Sequence, residues 1–599
     1  MSKISRSIFL KQSLRAGAAI LLAPSLFTEA SAGGSYLFGK DDLMSRLITA
    51  NDAQVEKLLQ TNFDNRAFSR RIGTDLTILT ASYCSETSKY HHHTAVLTAL
   101  EKLSKHLLAA QAPDGTVNIG NLESPPDTAF LVELVTAAFV PLKKENVPAL
   151  SVLKNNLQTF LIKAGDGLTV GGVHTPNHRW VISAALARIN ALFPKKKYVN
   201  RIEEWLSEGI YINSDGNYPE RSRIYSNVEN TAFLTIGRLL NKPALLEIVK
   251  KNLIATYFYM EPDGYLVSND SRRQDQYAWK QPDTYSPLTI LNYYLSYRYL
   301  AIKDNNNTFS ALVKMMEQLK GFEDRVLNRT LIYFLEEPVL QKELPAAAPL
   351  QVSYEKLFPQ SNMLRIRRNE ITTTLFGGTD QPIIIASGRS SSPDFYTYRK
   401  RDAVLKYMRL SSNFFGTGYF YSEGLKKVGN AYVLKKKQSV PYYQPLPKKL
   451  RKADGDYQLS ESIDQRFWNK MDFKSRPVSN VKTLETTITL NEISGRNELE
   501  FDIRGQAGVQ VTIELCFKEG GKLSGVTEVE NGNYLLEKDM GQYQFGDDKI
   551  IFGPGAVGHK AIMNLEGERY STHFGNLRTE GMHVYLTGVT PFKHKLVFS

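Results

Sequence analysis

The sequence predicts an α+β multidomain chain, an N-terminal incomplete (α/α) toroid followed by an antiparallel β-sandwich. Three observations carry that prediction. Helical periodicity fills the first half, Asp-Gly pairs recur there about every fifty residues, and the second half changes to short strands of period two.

In the helical half, residues 33–345, the stretches HHHTAVLTALEKLSKHLLAAQ, DTAFLVELVTAAFVPL, NHRWVISAALARINALF and PALLEIVKKNLIATYFYM return apolar residues every three to four positions. Gly, Pro or Asp breakers follow many of them. Asp-Gly pairs stand at 114–115, 166–167, 215–216 and 263–264, each expected to precede a helix start, at Asp127, Asn177, Asn227 and Tyr285. Asp127-Thr128-Ala129-Phe130 and Asn230-Thr231-Ala232-Phe233 are near copies. Two helices per period make stacked hairpins, and about six such units curl into a nearly closed ring of inner and outer helices.

The β half, residues 346–599, follows the Pro- and Ala-rich linker ELPAAAPLQ. Runs such as TLETTITLNEI, ELEFDIRG, VQVTIELCF and MHVYLTGV alternate apolar and polar residues, as a half-buried antiparallel sandwich requires.

Residues 1–32 read as a signal peptide. Lys3, Arg6, Lys11 and Arg15 precede the apolar AGAAILLAPSLF, and Ala30-Ser31-Ala32 is a small-residue cleavage site. The expected location is therefore periplasmic or secreted. No later apolar run of membrane-spanning length is read from the sequence. Cys84 and Cys516, the two cysteines, provide no disulfide framework and read as buried thiols. The formal charge is +13, and losing Lys3, Arg6, Lys11, Arg15 and Glu29 with the leader leaves +10. That balance favours an acidic polysaccharide or oligosaccharide as partner. No nucleic-acid motif accompanies it.

Three predicted helix entrances carry unusual polar groups, and in a toroid such entrances gather on one rim. A helix N-terminus there offers unpaired N–H groups and the positive end of the dipole. The first entrance is Thr175-Pro176-Asn177-His178-Arg179-Trp180, with Thr175 as N-cap and Pro176 at the first helical position. In the second, Arg223 and Tyr225 precede a Ser226–Glu229 capping box. The third holds Arg272, Arg273, Asp275 and Tyr277. This set suits β-elimination on a uronic acid. The C5 proton becomes removable once the adjacent carboxylate charge is damped, a task for Asn, Arg or a helix N-terminus. A His or Tyr then takes the proton, and a Tyr protonates the leaving oxygen.

Adjacent Asn177-His178, Tyr225 nearly fifty residues on, and a toroid followed by a sandwich resemble polysaccharide lyases of the heparinase II/III and alginate-lyase type, with a layout also similar to the rhamnose–glucuronate lyases. The resemblance implies Asn177 as carboxylate neutraliser, His178 as base and Tyr225 as acid. Arg179, Trp180, Arg223, Glu229, Arg272, Arg273 and Tyr277 are the expected substrate-binding residues. No cofactor is expected, although some relatives hold zinc or calcium in the sandwich. His91-His92-His93 and the C-terminal His559, His573, His583 and His594 lack a recognisable ligand spacing. Tyr396 and Arg399 are candidates for a β-half contribution to the cleft.

Two other classes fit the architecture. A glycoside hydrolase would use paired carboxylates, with Asp127, Asp215, Glu220, Glu229 and Asp275 available. A non-catalytic glycan-binding protein would use the same basic rim without chemistry.

Overall fold

Burial separates two kinds of helix in the first half. The helix His178–Leu192 buries every residue from Trp180 to Ile189, whereas its successor Lys196–Ser207 buries only Tyr198 and Ile202, one turn apart. A helix apolar on all sides belongs inside; one with a single narrow stripe lies outside. Inner helices Arg71–Cys84, Pro125–Lys144, His178–Leu192 and Arg223–Leu239 each pack against the next. Outer helices Thr94–Ala109, Ser151–Val170, Lys196–Ser207 and Pro243–Phe258 each return along an inner one. Tyr294–Lys303 and Asn307–Met316 form a further hairpin, and Asn328–Glu336 comes round onto Arg71–Cys84 and Pro125–Lys144. The ring thus meets its own beginning.

These observations come from a computed structural model that describes residues 43–63, 67–273, 275, 288–378, 393–462, 468–530, 532–561 and 580–599. Residues Arg46–Ser599 cluster as one unit, so helical and β halves are packed together.

The Asp-Gly pair makes a turn at three of its four positions; the helix start expected at Tyr285 lies outside the described residues. At 114–115, 215–216 and 263–264 the glycine has φ of +89°, +90° and +83°. Each turn closes with the same bonds, for example Gly216 N–H to Asn213 O and Asn213 N–H to Asn217 O. Such φ values favour glycine. The pair at 166–167 is different, because it lies inside the outer helix Ser151–Val170. Gly167 is there for proximity: a Cβ on it would stand 2.4 Å from the Asp114 carbonyl oxygen, where the first turn presses on the helix. Its place in the period is a coincidence of composition.

One helix corrects the membrane reading. Pro125–Lys144 is long and apolar enough by composition to cross a bilayer, and 72% of its apolar window is buried in the protein. It is an inner helix. Its Ser124 cap accepts from the Asp127 N–H at 3.2 Å. Cys516 is buried and Cys84 half-buried, and neither is in a disulfide.

Among the described residues two large sheets form most of the β half, beside a small pair of strands, Ser460–Glu461 with Trp468–Asn469. One runs, in spatial order, Lys522–Ser524, Gly541–Phe545, Asp548–Gly553, Phe592–Phe598, Arg496–Gly505, Val478–Ile493, Ala431–Tyr443 and Leu425–Val428. The other is built around Ala403–Ser412, Gln510–Phe517 and Met582–Val589, continuing through Tyr396–Lys400 to Ser353–Phe358. Among the described strands pairing is antiparallel except where Asn533–Leu535 meets Met582–Val589 in parallel, and an isolated parallel bridge joins Val557 to Thr587. Leu405, Leu410, Ile488, Leu490, Ile513, Leu515, Phe501 and Leu596 fill the space between the sheets.

The halves interlock at the third Asp-Gly turn. Arg365, wholly buried in its strand, pairs with Glu261 at 2.8 Å and donates from Nε to the Phe258 carbonyl at 3.2 Å. Thr372 donates its hydroxyl to the same carboxylate. Burial pushes the Glu261 pKa up, but Arg365, Arg399 and the Thr372 bond hold it below the usual carboxylate range. Asp215, at the second turn, accepts the Gln360 and Ser361 N–H groups at 2.8 and 3.1 Å. Arg399 spans the junction to Asp263 at 2.8 Å. Tyr396 makes no such reach: it is buried among the strands and its hydroxyl accepts from Asn497 at 2.8 Å.

Removing one partner of a buried pair leaves the other charge uncompensated. Arg365→Met is expected to lose about 3–5 kcal/mol in urea unfolding, and Arg365→Met with Glu261→Gln to regain most of it. A single-variant loss below about 1 kcal/mol would mean that the pair behaves as a surface bridge.

Candidate active site

The first entrance folds differently from its sequence reading. The helix begins at His178, and Asn177 takes the cap position in right-handed helical geometry with no side-chain cap bond. The Thr175 hydroxyl finds no hydrogen-bond partner among the described residues. The predicted Thr175 cap is therefore not made. Asn177 is fully buried, and its amide donates to both Glu220 oxygens at 3.3 and 3.4 Å.

The second entrance, by contrast, starts earlier than predicted. The helix opens at Arg223, and the Ser222 hydroxyl accepts from the Tyr225 N–H at 3.1 Å. Ser226 and Glu229 lie in the following turns with buried side chains, so the expected capping box is absent. Asp275 supplies the stronger cap: its Oδ2 accepts from Arg223 N–H at 2.7 Å and from the Ser222 hydroxyl at 2.9 Å. The anion site of this helix N-terminus is filled from within the protein.

Arg273 draws the cluster together. Its guanidinium lies 4.1 Å from the centroid of the Tyr225 ring and 2.9 Å from a Glu220 oxygen. Asn177, Glu220, Arg273 and half-buried Tyr225 thus form one connected group, assembled from two helix starts and the loop after Ser268. Burial raises the Glu220 pKa, against the lowering effects of Arg273 and the Asn177 amide. Arg272 is exposed; its backbone N–H donates to Glu220 O at 2.9 Å and its guanidinium to Pro219 O at 2.8 Å.

His178 stands at the same rim. Its ring is edge-on to His174, with centroids 4.9 Å apart, and Nδ1 has no hydrogen-bond partner among the described residues. Burial is the first cause that lowers its pKa to about 4, followed by His174, Arg273 and Arg70, with Asp127 opposing. The imidazole is therefore neutral at pH 7. Arg70 caps the rim on that side, paired with Asp127 and lying 4.5 Å over Phe130.

Several expected substrate contacts are corrected. Trp180 is 2% exposed and packs on Phe233 at 5.2 Å, so it is core. Arg223 is 1% exposed, pairs with Asp270 at 2.7 Å and lies 3.6 Å over the Tyr259 ring. Burial works against its charge, yet Asp270 and the neighbouring tyrosines push its pKa above the usual arginine value. It is a structural cation. Glu229 is 2% exposed, and burial with nearby Glu220 pushes its pKa well up. Arg179 is committed to Glu208 at 2.5 Å and to the Trp180 ring. Tyr277 and His573 lie outside the described residues.

Sequence reasoning placed Glu220 only among hydrolase carboxylates and passed over Arg70 and His174. The signal for Glu220 was its position five residues after an Asp-Gly turn, just before a helix start. The histidine run serves local structure: the His93 ring accepts from Ala95 N–H at 3.2 Å, and His92 meets Glu145 at 2.8 Å. Among the described residues no group of three or more His, Cys, Asp or Glu is placed to hold a metal.

Solved structures share this architecture. Heparinase III aligns over 96% of this chain and 87% of its own, with a TM-score of 0.56 at 12% identity. The Streptomyces coelicolor A3 chondroitin AC lyase in complex with chondroitin sulphate aligns over 94% and 80%, with 0.54 at 13%. A Paenibacillus xanthan lyase aligns over 94% of this chain and 58% of its own, with 0.55 at 11%. What is shared at these identities is the fold, a helical toroid joined to a β-sandwich. No family model and no curated protein matches the sequence.

Between pH 4 and 6.5 the unfolded chain binds a proton at residue 178 that the folded chain refuses. The stability due to neutral His178 is complete above pH 6.5 and lost as pH falls toward about 4. His178→Gln should flatten this part of the stability–pH curve in urea titrations at pH 5 and 7. An unchanged slope would show an imidazole that titrates as in water.

Proposed function

We propose that the chain is an exported polysaccharide lyase that cleaves a uronic-acid-containing glycan by β-elimination, leaving a 4,5-unsaturated uronate end. The observation that carries this reading is the position of Arg273, against Tyr225 on one side and the Asn177-bonded Glu220 on the other. The leader read at residues 1–32 supports export, and the shared fold of the heparin, chondroitin and xanthan lyases supports the reaction class.

In this reading the substrate carboxylate is drawn to the cationic rim of Arg272, Arg273 and Arg70. Asn177 lies below the surface and reaches that carboxylate when Glu220 yields its amide. The long 3.3 and 3.4 Å bonds favour such an exchange, as does the raised Glu220 pKa, because a protonated acid accepts less strongly. With the carboxylate charge damped, neutral His178 accepts the C5 proton. A pKa of about 4 makes it a weak base alone, and an arriving carboxylate raises it toward the useful range. Tyr225 then donates its hydroxyl proton to the departing C4 oxygen.

The hydrolase alternative needs two carboxylates facing a glycosidic bond. Asp275 is spent on capping, Asp215 on the loop at Gln360, Asp127 on Arg70, and Glu229 is enclosed. Glu220 is held by Asn177 and Arg273.

Incubation with a panel of uronic-acid glycans should generate the ultraviolet absorbance of the conjugated product. Reducing ends released without that absorbance would make the protein a hydrolase, and binding without new ends a glycan-binding protein. Tyr225→Phe should lower kcat by at least about 10²-fold. Arg272→Ala should mainly raise KM. Near-normal turnover in Tyr225→Phe would remove it from the reaction.

A further inference from the structure

At one end of the sandwich the strands Ala431–Tyr443 and Val478–Ile493 run on together as a two-stranded ribbon, and exposed apolar side chains gather there. Leu484 is still enclosed between the sheets. Beyond it Tyr442, Val478 and Val481 stand exposed, as do Met471 in the connecting arm and Phe415 in the turn after Ala403–Ser412. Phe415 and Tyr442, 39% and 49% exposed, meet with ring centroids 5.7 Å apart at 67°. Neighbouring exposed apolar groups of this kind mark an interaction surface.

Register puts a cation on the same face. Val440 pairs with Lys482 and Tyr442 with Asn480, and residues two apart in a strand share a face, so Tyr442 and Lys482 are diagonal neighbours about 7–8 Å apart. Tyr443 packs on Phe473 at 4.7 Å, which brings in the arm with Lys474 and Arg476. Residues 444–482 carry nine Lys and Arg against five Asp and Glu. Lys470 is matched by Asp456, and on the ribbon behind, Lys436 and Lys437 are matched by Glu423 and Glu485. Lys474 and Lys482 have no carboxylate partner among the described residues. Arg476 donates to the Met471 and Gln444 carbonyls at 2.7 and 3.4 Å, bonds that leave its charge in place. Asp454, Glu461 and Asp472 stand against these cations in the arm, and the excess stays positive.

This end of the sandwich lies toward the rim. The loop with Arg272 and Arg273 touches the β half through Asn269, whose amide donates to the Asp394 carbonyl at 2.9 Å. Arg409 Nε donates to the Asp394 carboxylate at 2.6 Å, and Phe415 follows Arg409 by six residues, at most about 20 Å of chain.

We propose that the ribbon end, with Phe415, Tyr442, Lys474 and Lys482, is a second binding site for an acidic polysaccharide, apart from the place where the glycan is cut. The apolar face of a sugar ring lies on the exposed aromatic rings, and the ammonium groups meet its carboxylates. A second copy of this chain would bring the same positive excess, and a neutral glycan would leave the lysines unused. Choosing a glycan over another polyanion rests on the lyase reading of the rim.

The test is binding of the full chain to immobilised polygalacturonate, with dextran as the neutral glycan and single-stranded DNA as the other polyanion. All chains carry Tyr225→Phe, so that a polymer cleaved at the rim stays whole. Polygalacturonate should bind and dextran should not. Phe415→Ala with Tyr442→Ala, and separately Lys474→Glu with Lys482→Glu, should each weaken the uronate polymer by about tenfold or more. The two pairs act through different chemistry, so either one reads the site should the other fail to fold. Polymer binding unchanged in both pairs would overturn the proposal and leave the lyase reading intact. Dextran held as tightly as polygalacturonate would overturn it too, and DNA held more tightly through the same residues would make this a nucleic-acid surface. No unsaturated product from the chain with Tyr225 restored, beside polymer binding that both pairs weaken, would sink the lyase reading and leave this site standing.

Discussion

The arrangement depends on one buried cation. Arg223 begins an inner helix, where a positive charge is least welcome to the helix dipole, and it is enclosed almost completely. It persists because Asp270 pairs with it, Asn217 Oδ1 accepts from it at 3.0 Å, and the Tyr259 ring lies beneath it. Each partner does a second task. Tyr259 donates to Asp270 at 3.0 Å, and Asn217 donates to Tyr259 and to Ser361 in the β half. One guanidinium thereby fixes a helix start, an Asp-Gly turn, the loop carrying Arg272 and Arg273, and the junction between the halves.

That constraint orders the electrostatics of the rim. Asp275 already occupies the N-terminus of the Arg223 helix, so the partial charge of that helix is used internally. Positive potential at the surface must come from side chains, and Arg273 and exposed Arg272 are held in one loop by Glu220 and by backbone carbonyls. The acid that anchors Arg273 also holds Asn177, which places an amide and a guanidinium on the two sides of one carboxylate.

Periodicity made the ring legible, and its two layers are plainest in one pair, His178–Leu192 buried on all sides and Lys196–Ser207 along a single stripe. It also brought Asn177, His178, Tyr225 and Arg273 to one rim. Local chemistry was harder to read. Ser226–Glu229 has the spacing of a capping box, yet Ser222 and a distant Asp275 do the capping, and no local pattern announces a partner fifty residues away. Trp180 and Arg223 looked like ligands for the same reason. Beside a polar motif, sequence alone does not reveal which side chains point inward. Glu220 went unread as a bridge because its role exists only once Asn177 and Arg273 are brought to it.

The meeting of Asn328–Glu336 with Arg71–Cys84 changes what kind of object the repeat array is. An open stack of helical hairpins ends in two apolar faces that must be covered by special terminal units or by another molecule. Here the last inner helix covers the first, and the array is its own terminus. Stability in such a circle is no longer a sum of neighbour contacts that can fray from an edge. Opening any one hairpin exposes two faces at once, which couples each unit to both of its neighbours.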